Sequence, residues 1–66
     1  MIQILIIDDH PVVRKGVRRI LEEGISFLEI DEAGDAYEAM KKIREKNYHL
    51  ILMDINLPGK SGMVLL

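Results

Sequence analysis

Three carboxylates carry the chemical interest of this chain. Asp8 and Asp9 are adjacent and close the apolar run ILII at positions 4–7, and Asp54 closes a second run, LILM, at positions 50–53. Carboxylates gathered in one crevice repel, and each resists ionising without a partner, so such a cluster destabilises an empty fold unless a cation sits among them. Oxygen donors with no Cys and no suitably spaced His pair favour Mg²⁺ or Mn²⁺ over Zn²⁺. An octahedral ion that keeps several waters needs only two or three protein oxygens, and the main-chain carbonyl of Asn56, just past Asp54, is a further candidate.

These acids act together only if the fold brings positions 8, 9 and 54 to one place. Residues 2–7 are almost continuous Ile and Leu, as in a strand covered on both faces. Pro11 suits a first helical position, and Val12, Val13, Val17, Ile20 and Leu21 recur as one apolar face of a first helix ending near Gly24, a left-handed cap. Residues 27–33, FLEIDEA, alternate loosely as an edge strand does. Asp35 followed by Glu38 is a capping box opening a second helix, with Ala36, Ala39, Met40 and Ile43 as its stripe and Asn47 as its stop near residue 46.

A third strand is expected over residues 50–55, followed by a Leu57-Pro58-Gly59 turn. Ser61 would then cap a last helix beginning at Gly62 or Met63. The order β-α-β-α-β with helical connections means an α/β fold with a parallel sheet and right-handed crossovers. If strand two lies outside strand one and strand three on its other side, the order is 2-1-3. The winding then reverses between the two acid-bearing strand ends, where such sheets bind ligands.

With 66 residues the chain is at most one small domain, and 48% hydrophobic residues make it too apolar for a disordered tail. The formal charge of −2 supplies no field toward DNA or anionic lipid, so neither nucleic acid nor membrane is an expected partner. No apolar run approaches the ~20 residues of a spanning helix, and acids arrive too early for a signal peptide. With no Cys, a reducing compartment fits and the cytoplasm is the expected location.

The first βα turn, DDHP, holds no glycine, which sets aside the G-x-G-x-x-G dinucleotide loop, and there is no P-loop lysine motif. An acid cluster with Mg²⁺ can instead receive a phosphoryl group: the metal neutralises charge while one carboxylate attacks phosphorus, and Asp54 is the candidate nucleophile.

ILIIDDHPVVRKGVRRIL and LILMDINLPGKSG resemble the receiver domain of two-component response regulators across the whole chain, residues 1–66. DDHPVVRKG and MDINLPG are most similar to the branch whose receivers usually precede a LuxR-type helix-turn-helix in transcription regulators. The resemblance implies a flavodoxin-like (CheY-like) sheet cut short after strand three. It also implies a signalling module and not an enzyme, phosphorylated by a sensor histidine kinase. By resemblance Asp54 is the phosphoacceptor, Asp9 a direct Mg²⁺ ligand, Asp8 a ligand through water, and Asn56 a ligand through its main-chain oxygen. Family receivers are about twice as long, and their later strands carry a Ser or Thr and a Lys for which these 66 residues hold no counterpart. Lys60, in the loop after strand three, does not replace that Lys.

Plainer readings stand beside these. Acids after strands often only cap helices, His10 beside Pro11 reads as a polar helix start, and His49 carries still less. Arg14, Lys15, Arg18 and Arg19 read as a solvated basic face, or as a dock for a kinase. A chain ending after strand three leaves that strand's outer edge and the sheet faces uncovered, so a homodimer or domain-swapped oligomer is expected. The alternative function is an oligomerisation or interaction module without phosphotransfer. A haloacid-dehalogenase-like phosphatase, suggested by the spacing of Asp54 and Asn56, would want its nucleophile after strand one.

Overall fold

The structure is a computed structural model and describes residues 1–53 and, as backbone, residues 63–65. Strand β1 (Ile2–Ile7) lies at the centre, and Ile4, Leu5, Ile6 and Ile7 are all buried, because side chains on both faces of a covered strand leave water. Strands β2 (Leu28–Ala33) and β3 (Leu50–Met53) flank it in parallel, giving the expected order 2-1-3. The strand period of two divides the core. Leu5, Ile7 and Ala33 face helix α2 (Ala36–Glu45) through Ala39 and Ile43, and Ile4, Ile6 and Ile30 face helix α1 (Pro11–Gly24) through Val17 and Leu21.

Four expectations are corrected. The segment Met63–Leu65 forms β4, antiparallel to β3, where the start of a helix was expected. Pairing with this segment satisfies backbone groups along the edge of β3. The sheet therefore does not end at strand three, and that strand's outer edge is paired at Ile51, Leu52 and Met53.

Gly24 is the last helical residue and no left-handed cap. The chain leaves α1 through extended Ile25, and the left-handed residue is exposed Phe27 (φ 59°), whose carbonyl accepts from the Ile2 N–H at 2.9 Å. Of the apolar face expected on α1, Val17 and Leu21 pack, while Val12, Val13 and Ile20 project outward. On α2, Ala39 is buried and Ile43 packs, but Ala36 and Met40 are exposed. A helix lying on a sheet buries only its innermost ridge, and no neighbouring helix is present among the described residues to cover the flanks. Asp35 is the expected N-cap, accepting from the Glu38 N–H at 2.8 Å.

Candidate functional site: the acid turn at the end of β1

Where β1 ends, the chain must turn from the sheet into α1, and Asp8 makes that turn. Its N–H continues the ladder to the Ala33 carbonyl of β2 at 3.0 Å, and its side chain folds back so that Oδ1 accepts from the His10 N–H at 2.8 Å. This side-chain-to-backbone bond two residues on is the turn-forming habit of Asp. Asp8 is thereby buried, with 6% of its surface exposed, while the Asp9 side chain is about half exposed beside it.

His10 joins the cluster, beyond its expected place at the helix start. Its Nδ1 lies 3.0 Å from Asp8 Oδ1 and 2.8 Å from Asp9 Oδ1. A nitrogen facing two carboxylate oxygens carries its hydrogen, because a lone pair there would be repelled. A carboxylate oxygen of Asp8 and one of Asp9 lie within 4.8 Å of each other, close enough for a common cation, with His10 as their hydrogen-bond partner and not a ligand. The carboxylate oxygens suit a hard ion such as Mg²⁺, so the donor set fits the metal the sequence suggests. His49 is structural: it donates its N–H to the Gln3 carbonyl at 2.8 Å, and its Nδ1 accepts from the Gln3 N–H at 2.9 Å, tying the start of β3 to β1.

Asp54 and Asn56 lie outside the described residues. Among the described residues, Met53, the last residue of β3, pairs with Ile7, the last residue of β1. A hollow of about 170 Å³ opens at these strand ends, lined by Ile6, Ile7, Asp8, Val17, Leu52 and Met53.

Behind the acid turn stands a cationic clasp that sequence reasoning missed. Arg14 donates from one guanidinium nitrogen to the Asp8 carbonyl oxygen at 2.6 Å and from Nε to Glu32 at 3.0 Å, and Arg18 donates to the other Glu32 oxygen at 2.8 Å. Arg18 above all, with Arg14, holds the Glu32 carboxyl below its ordinary range against the opposing effect of burial. The signal was present in β2: the alternation that turns Leu28 and Ile30 toward α1 turns Glu32 the same way, and an acid on a covered face needs a cation. Arg18 and Arg19 also make the i,i+4 pairs with Glu22 and Glu23 typical of a solvated helix face.

On the opposite face, Lys46 pairs with Glu29 and with Asp31, and Tyr48 donates its hydroxyl to Asp31 at 2.5 Å. The Tyr48 bond is the main cause of a lowered Asp31 carboxyl, while burial first, and Asp31 second, push the Tyr48 hydroxyl up to about 12. This network fastens the end of α2 to β2, on the face away from α1. Among the described residues no helix is long and apolar enough to cross a membrane.

Comparison with known proteins agrees with this architecture. The chain is 43% identical over 60 residues to the transcriptional activator protein ExaE of Pseudomonas putida, which covers 91% of this chain and 28% of that protein. It is 39% identical over 61 residues to the nitrate/nitrite response regulator protein NarP of Escherichia coli (strain K12), covering 92% of this chain and 28% of the relative. To the response regulator UvrY of the same strain it is 40% identical over 63 residues, or 96% of this chain and 29% of the relative. The chain thus spans less than a third of the length of these curated relatives. No solved structure matches it. The model of the response regulator receiver domain matches residues 4–66, and the chain belongs to that family.

Proposed function

We propose that this chain is the phosphoacceptor segment of a two-component response regulator, with Asp54 as the residue phosphorylated. The observation that carries the reading is the pairing of Ile7 with Met53, because it sets the strand ends preceding Asp8-Asp9 and Asp54 side by side. Asp8, Asp9, Asp54 and the Asn56 carbonyl would hold Mg²⁺, which when bound neutralises charge on an incoming phosphoryl group.

The protein's own part is to present nucleophile and acids. An Asp54 oxygen forms a bond to phosphorus as the bond from phosphorus to the donor breaks, and the donor atom, the imidazole nitrogen of a phosphohistidine or the carboxylate oxygen of an acyl phosphate, keeps the electron pair. The donor is a sensor histidine kinase or a small acyl phosphate. For these 66 residues alone we expect weak metal binding and slow phosphorylation. They hold no counterpart of the family's later Lys, and oriented charges at such sites are worth several kcal/mol of barrier.

Names such as transcriptional activator among the relatives support a role for the whole protein in transcription control, with DNA contacted outside this segment, and a cytoplasmic location fits that role. Association of two copies would use the half-buried apolar residues of β3, since β4 pairs with its outer edge. Intact-protein mass spectrometry after incubation with acetyl phosphate and Mg²⁺ tests the assignment. Wild type should gain one phosphoryl group in part of the population and Asp54→Asn none; equal labelling of both contradicts it.

A further inference from the structure

We propose that Arg14 is a positioning residue for the acid turn, acting through the main chain of Asp8 and not through its own charge; the inference rests on the cation-site reading above. Asp8 is held at both ends of its backbone. Its N–H is fixed to the Ala33 carbonyl at 3.0 Å, and its carbonyl oxygen accepts from Arg14 at 2.6 Å. The second contact sets the plane of the Asp8–Asp9 peptide, and with it the direction in which Asp9 leaves the turn.

Arg14 itself has little freedom. Its side chain is 18% exposed, its Nε is bonded to Glu32 in β2, and its own N–H closes the first turn of α1 on the His10 carbonyl at 3.0 Å. The guanidinium also lies against the turn just past β2, where a Cβ on Gly34 would stand 3.4 Å from Arg14 Nη1, at ordinary contact distance. One side chain thus joins the first turn of α1, the end of β2 and the carbonyl of the first acid. Lys cannot reproduce this, since the two contacts use separate nitrogens of a planar fork.

Charge and position predict opposite outcomes. Removing a cation beside an acid cluster should by charge alone strengthen metal binding. Loss of the carbonyl contact should weaken it, and losing a residue that orients metal ligands typically costs about 10–100-fold in affinity. The experiment titrates the full chain and its Arg14→Met and Arg14→Lys variants with Mn²⁺ alone, reading free Mn²⁺ by electron paramagnetic resonance. Metal-free ¹H–¹⁵N spectra of all three proteins accompany it.

Both variants should bind Mn²⁺ roughly tenfold more weakly. Their metal-free spectra should change at the Asp9 and His10 amides and hold at Ile4, Leu5 and Ile6, which also shows that they fold. Binding by Arg14→Met as tight as or tighter than wild type, or an Arg14→Lys variant matching wild type, overturns the proposal. If wild type takes up no Mn²⁺ at all, the cation site falls separately. Changes confined to the Asp9 and His10 amides would then keep Arg14's hold on the turn, and unchanged spectra would end it.

Discussion

Glu32 is the joint between α1 and β2, and its removal is a quantitative test of how this small fold is held. Its side chain is 15% exposed and meets Arg14 (18% exposed) at 3.0 Å and Arg18 (41% exposed) at 2.8 Å. The Arg14 bond is charge-assisted and mostly shielded, so about 1.5–3 kcal/mol is expected from it. The Arg18 bond, half in water, adds at most about 1 kcal/mol. Glu32→Ala should therefore cost about 1.5–4 kcal/mol, read by urea denaturation followed by circular dichroism. At about 4–8 °C per kcal/mol for a domain of this size, the melting point should drop by at least about 6 °C.

Acid tests the same joint. Glu32 is held below its ordinary value of 4.5 in the fold, so the unfolded chain protonates it at higher pH than the folded chain does. Its contribution is full above the unfolded pKa and is lost as pH falls through the lowered folded value. Wild type should lose stability below about pH 4.5 more steeply than Glu32→Gln, which has no such proton to take up. A Glu32→Ala protein within about 0.5 kcal/mol of wild type, with an unchanged acid limb, would refute the reasoning.

Two further outcomes follow from the packing of the fold. Leu5 is fully buried at the centre of the sheet, so Leu5→Ala should cost about 2–5 kcal/mol, a large part of the roughly 3–10 kcal/mol available to a chain of this length. A thermal melt followed by far-ultraviolet circular dichroism should show the midpoint lowered by at least about 8 °C, and a wild-type melt would contradict the burial. Phe27 holds a left-handed conformation that costs a side-chain-bearing residue roughly 1–2 kcal/mol, while its ring is 81% exposed. Phe27→Gly should raise the melting point by a few degrees after the entropic cost of glycine, and a lower one would mean that the ring packs.

The central strand and the acid turn were legible because their signals are local. Four consecutive apolar residues ending in two acids and a proline admit few other arrangements, and the chain forms a strand, a turn and a helix there. The order 2-1-3 was legible because helical crossovers force parallel pairing. What escaped was decided by distant partners. Val12, Val13 and Ile20 look like core residues in a helical projection, but which of them pack depends on how far the sheet extends beneath α1.

The Arg14–Glu32 contact joins residues from two elements and emerges only when the β2 alternation is laid against the helix. The end of α1 was misread for a different reason. A Gly invites a left-handed cap, yet the chain turns three residues later, at Phe27, whose carbonyl takes the Ile2 N–H.

The most direct test of the account is where a divalent ion sits. Mn²⁺ added in small substoichiometric amounts broadens nearby amide resonances in a ¹H–¹⁵N spectrum. Broadening should be concentrated at residues 8–10 and 53–56, with the acid-rich β2 face around Glu29 and Asp31 left sharp. If residue 54 stays sharp while 8 and 9 broaden, or if the β2 acids broaden equally, the three carboxylates do not share an ion.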